Sequence, residues 1–266
     1  MSDEEAMPDE GNEPSGSIVL FKPIIEKAVV NLLPTVRYRA LNSLEGFRRA
    51  KRLFDLDREM ASFRAITAEE EAVTALFKAL QVRGYTGAEK LNSRSHQHKA
   101  AAPFFMNAVL HSVAANREVK LTISIAVKPP SVTVALPLNQ FDKLRNLPAD
   151  LHMELVHPLD MVRSRHGVPA GDYFDESVAA AAGDRNVDKL ILKAANSRNK
   201  ILYAHDSGLP ASRITISGIE HREASALRFI IYAIAVLQVD GKQALAQQCL
   251  DGFLKVLGRQ PPERMG

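Results

Sequence analysis

Apolar and polar positions divide the chain into three stretches of different texture. A short apolar run begins near Ile18 and is bracketed by Pro23 and Pro34, which predicts a short helix with an extended lead-in. From about Asn42 the period becomes helical. Leu41, Leu44, Phe47 and Phe54 recur at three- and seven-residue spacing, with Arg48, Arg49, Lys51 and Arg52 expected on the wet side. A second helix is predicted from Thr67, its expected N-cap. Glu70 would close a capping box, and the acids that follow Thr67 suit the positive end of the helix dipole. Gly84 and Gly87 end it, and a further helix is predicted from His96 to Ala115.

The texture then alternates. Residues 119–127 and 131–138 are rich in β-branched side chains and are joined by Lys128-Pro129-Pro130, which predicts a hairpin. Leu151, Met153 and Leu155 share one face of a possible third strand. After a polar loop at 163–176, helical texture returns over 186–206 and stops at Ser207-Gly208-Leu209-Pro210. Two last helices are predicted, about Ile219 to Val239 and Gly241 to Leu257, and no internal repeat is evident. The expected fold is mainly α. It is a helical bundle, a single domain over 18–266, with a small β-hairpin or three-strand insertion at about 117–165.

Composition sharpens this picture. The 266 residues are 46% hydrophobic, enough for a sizeable core, but Trp is absent, so aliphatic side chains and alanine must fill it. Residues 1–17 hold six of the 31 acids and none of the 34 bases, a composition that predicts a disordered tail dispensable for folding. The other 249 residues carry 34 bases against 25 acids, a net +9 that permits an anionic partner. One cysteine, Cys249, excludes an internal disulfide and fits a reducing compartment. The N-terminus lacks the pattern of a secretory signal, and the apolar stretch Leu227–Val239 is too short to span a bilayer. A cytoplasmic protein without a membrane anchor is the expectation.

The segment with most chemistry runs from Ser197 to Asp206. Arg198 and His205 are seven residues apart, so on a continuous helix they share a face, about 10 Å apart along the axis. Arginine neutralises phosphate charge and histidine moves protons near neutral pH, a pairing suited to metal-free RNA cleavage. The separation is long for one phosphate, so two chains would have to combine their motifs. The plainer reading is a solvated basic face ending in a capping histidine.

Arg198-Asn199 with His205 after six intervening residues resembles the signature of HEPN-type helical domains, here of the abortive-infection AbiV-like group. The order Glu70-Glu71, His98-Lys99, Arg198, Leu202-Tyr203 is similar to that group's acidic pair, His-Lys segment and late Arg helix with a Leu-Tyr pair. Ala72, Val73 and Thr74 stand where the pattern has a lysine. The resemblance covers about 42–115 and 186–258. It implies a bundle that pairs with itself, Arg and His facing across a cleft, and in many members ribonuclease activity. Catalytic roles then fall to Arg198, Asn199 and His205, and substrate contacts to Glu70, Glu71, Arg94, His98, Lys99 and Tyr203. One of Glu70 and Glu71 would turn inward to orient Arg198 or His205; alternatively both only cap a helix.

Arg94, His96, His98 and Lys99 form a basic cluster that could grip phosphates or simply be a solvated helix entry. No Cys or carboxylate lies near it at metal-ligand spacing, and His152, Glu154 and His157 are too sparse, so neither metal nor cofactor is expected. A glycine-rich phosphate loop, a Gly-x-Ser-x-Gly elbow and an HExxH helix are all missing. Three functions remain: a metal-independent endoribonuclease of a defence or toxin system, a non-catalytic module binding RNA, a nucleotide or a protein, and an interaction scaffold. The partners implied are RNA, a second copy of the chain, and an antitoxin or other protein.

Overall fold

Six alanines of one long helix, Ala61, Ala65, Ala68, Ala72, Ala75 and Ala79, are buried at alternating four- and three-residue spacing. That seam is the axis of the fold, because small side chains let a neighbouring helix come close. The computed structural model describes residues 18–114, 122–140, 142–148, 150–160, 178, 186–203 and 214–258. Among them are seven helices: α1 (Lys22–Val29), α2 (Pro34–Leu53), α3 (Arg58–Val82), α4 (His96–Ala114), α5 (Val187–Leu202), α6 (Ile216–Leu237) and α7 (Ala244–Gly258). The strands are β1 (Thr122–Val127), β2 (Pro130–Pro137) and β3 (His152–Leu155). The protein is mainly α, a helical bundle with a small antiparallel sheet. The acidic tail, the 163–176 loop and the stop at Ser207–Pro210 lie outside the described residues.

Helix α3 packs against α2 and α6 and also touches α4 and α5. Against its alanine seam α2 sets Val36, Ala40, Leu44, Phe47 and Ala50, all buried. At Gly46 the two backbones are so close that an added Cβ would sit 2.7 Å from the Ala68 Cβ. The predicted start of this helix at Thr67 is wrong. The helix begins at Arg58, and Asp57 caps it by accepting a hydrogen bond from the Met60 N–H at 2.8 Å. Its C-terminus closes as expected: Gly84 is left-handed (φ 65°), Tyr85 N–H donates to the Leu80 carbonyl and Gly84 N–H to that of Gln81.

The basic face of α2 is not uniformly wet. Arg48 and Arg49 pair with Glu45 at the surface, but Lys51 reaches Glu223, which is buried on α6 and also holds Lys22 of α1. Burial alone would raise the Glu223 carboxyl. The two lysines outweigh it and hold that group below the usual glutamate range.

The sheet has the order β1-β2-β3, both pairs antiparallel, with Ile125 opposite Val132 and Val134 opposite Leu155. Ile125 and Val132 join the core, and Gln238 at the end of α6 ties the sheet down. Its amide oxygen accepts the Val132 N–H, and its nitrogen donates to the Val132 and Val156 carbonyls. The face expected to be apolar on β3 is largely wet: Leu151 and Met153 are exposed and Leu155 is half-buried. Among the described residues, no helix is long and apolar enough to cross a membrane.

Candidate functional site

Helical periodicity places Phe63, Ile66 and Glu70 in one stripe of α3, with Glu69 beside it. The Glu70 side chain is only 13% exposed, so its carboxylate needs partners in place of lost water. Two helices, α4 and α5, supply them. His96 Nδ1 lies 3.0 Å from Oε1, while Lys99 Nζ lies 2.9 Å and Arg198 Nη1 4.0 Å from Oε2.

Local structure explains why they converge. Ser95 starts α4 by accepting the His98 N–H on its hydroxyl at 3.1 Å, which fixes the first turn. His96 and Lys99, three residues apart, then face the same way. Asn186 caps α5 by accepting the Lys189 N–H at 3.0 Å, and four-residue spacing aligns Ala194 with Arg198. The Arg198 guanidinium also lies over the Phe63 ring, 5.6 Å from its centroid. Its Nε is buried and has no hydrogen-bond partner among the described residues. Arg198 is therefore aimed by a carboxylate and a ring yet keeps donor capacity.

Beside this cluster is a cavity of about 230 Å³ between α3, α4, α5 and α6. Its walls include Glu69, Glu70, Lys99, Phe104, Asn107 and Arg222. Arg222 Nη1 pairs with Glu69 Oε2 at 2.5 Å. Ala194 lines the cavity, so Arg198, one turn further along the same face, stands at its rim. For scale, an engineered apolar cavity of about 150 Å³ accepts benzene. Two carboxylates against Lys99, Arg198 and Arg222 leave one positive charge in excess, an environment for an anion with an attached ring. Among the described residues, no group of three or more His, Cys, Asp or Glu side chains is placed to hold a metal ion.

The residues singled out from sequence separate here. Glu70, Lys99 and Arg198 come together. Glu71 turns the other way and pairs with Arg39 of α2 at 3.2 Å. Neither acid caps a helix, since both lie well inside α3. His98 closes the preceding loop, its Nδ1 accepting the Asn92 N–H at 3.2 Å, and Arg94 is exposed on that loop. Asn199 is exposed, and its carbonyl accepts the N–H of Tyr203, itself exposed. Helix α5 ends at Leu202, with Tyr203 extended. His205 lies outside the described residues.

His96, read from sequence only as part of a basic cluster, is the imidazole on Glu70. His221, Arg222 and Ser225, all lining the cavity, were missed. They did not stand out, because Ser217, Glu220, Glu223 and Arg228 make the first half of the same helix polar as well. A scan against protein-family models, a search of curated proteins and a search of solved structures each found no match for this chain.

Proposed function

We propose that this chain is an HEPN-like endoribonuclease that cleaves RNA without a metal, Arg198 binding the scissile phosphate. One observation carries the reading: Glu70 collects His96 and Lys99 from α4 and Arg198 from α5 beside a cavity of about 230 Å³. Of the two alternatives for the acidic pair, this is the inward-turned one. An arginine aimed beforehand stabilises the charge that builds on phosphorus in the transition state.

The substrate's 2′-hydroxyl attacks the adjacent phosphorus and the 5′-oxygen departs, leaving a 2′,3′-cyclic phosphate. DNA lacks that hydroxyl and is not a substrate. The resemblance assigns His205 to acid–base work and Asn199 to the backbone, and it brings in a second copy of the chain and a defence or toxin setting with an antitoxin.

The test is a mixed-sequence RNA pool incubated with the protein in EDTA. Wild type is expected to cut it and leave cyclic phosphate ends, and Arg198→Ala to lose cleavage by about 100-fold or more while remaining folded. An uncut pool overturns the ribonuclease reading. RNA retained but uncut favours the binding module instead.

A further inference from the structure

His96 and Arg198 approach the same carboxylate from different helices, one at each oxygen of Glu70. An ionised carboxylate only accepts hydrogen bonds, so in the neutral His96 ring the contact at 3.0 Å calls for the proton on Nδ1. The lone pair is then on Nε2. The side chain is 37% exposed, so substrate can reach it. A nitrogen base oriented by a carboxylate, with a cation for the developing anion alongside, is the arrangement that activates a hydroxyl in nucleophilic catalysis. His221 lines the cavity, but among the described residues no carboxylate pairs with it.

We propose that His96 is the general base of the cleavage reaction, with Glu70 as its positioning residue; the inference rests on the ribonuclease reading. His96 Nε2 takes the proton from the 2′-hydroxyl, and the 2′-oxygen forms its bond to phosphorus. The phosphorus–O5′ bond breaks, and the 5′-oxygen leaves with the bonding pair and takes a proton from water. The products are a 2′,3′-cyclic phosphate and a 5′-hydroxyl, and the imidazolium returns its proton to solvent. Glu70 stabilises that imidazolium, and Lys99 pairs with its other oxygen. Base and phosphate-binding arginine thus come from α4 and α5 of one chain, and neither role needs a second copy.

The experiment compares wild type, His96→Ala and His96→Gln on one RNA oligomer in EDTA, with and without free imidazole. His96→Ala is expected to slow cleavage about 100- to 10,000-fold, the usual range for one acid–base group, and free imidazole to restore part of the loss. His96→Gln keeps a hydrogen bond to Glu70, protecting the fold, but lacks the base, so it is expected to be equally slow. Normal cleavage by either His96 variant overturns the inference and leaves the ribonuclease reading standing. A slow His96→Ala that imidazole does not rescue also overturns it, making His96 a support for the helix start. A wild type that cuts nothing overturns both.

Discussion

Replacing Glu223 with glutamine removes the charge that joins three helices. Glu223 is 1% exposed on α6, with Lys22 Nζ 2.7 Å from Oε1 and Lys51 Nζ 2.6 Å from Oε2. Deleting one partner of a buried ion pair costs about 3–5 kcal/mol when the other is stranded. Two features lower that here. The lysine side chains are 23% and 33% exposed, so the released ammoniums reach water. Lys51 also approaches Oε2 off the hydrogen-bonding direction, and a glutamine oxygen can still accept from Lys22. The expected loss is about 2 kcal/mol, or about 4–8 °C in Tm. Because the folded carboxyl titrates below its ordinary value, its contribution is present above about pH 4.3 and disappears as pH falls through the folded value. Urea unfolding followed by circular dichroism at pH 7 and again near pH 3 measures both. An unchanged midpoint at pH 7, or a gap between wild type and Glu223→Gln that widens on acidification, refutes the reasoning.

Gly46→Ala forces a methyl against Ala68 and is expected to cost about 1–3 kcal/mol in thermal melts, with Ala68→Gly recovering part of it. A neutral Gly46→Ala would show the α2–α3 seam to be looser than the structure has it. Gln238→Ala removes three hydrogen bonds between α6 and the sheet region. Amides of β1 and β2 are expected to exchange faster while those of α3 keep their protection, and uniform exchange in both variants would contradict the tie.

The fold class was legible because large apolar side chains mark it. Val132, Val134 and Leu136 alternate with polar or smaller residues, and Ile219 to Leu237 is apolar around most of its surface. What failed was the start of α3. Between Arg58 and Thr67 the buried positions are mostly alanine and serine, which count little in a hydrophobic period yet are what the closest helix packing requires. The same error hid Glu70: a helix that seemed to begin at Thr67 made the acids look like caps, whereas three extra turns place them mid-helix. Site residues were legible where charge stood out, as at Arg198 and Lys99. They were not where the choice between neighbours depended on rotation. His96 rather than His98, and Glu70 rather than Glu71, face the cluster because each step along a helix turns the side chain by about 100°.

Glu70 is where the account is most exposed. Glutamine at that position keeps the shape but withdraws the charge that aims Arg198, His96 and Lys99. A reacting group displaced by about 1 Å can lose about 100-fold in rate. The decisive measurement is the single-turnover rate of RNA cleavage in EDTA by Glu70→Gln and by wild type, with circular dichroism verifying that both are folded. The account predicts cleavage by wild type and a fall of about 100-fold in the folded Glu70→Gln protein. Equal rates, or no cleavage by either, would contradict it.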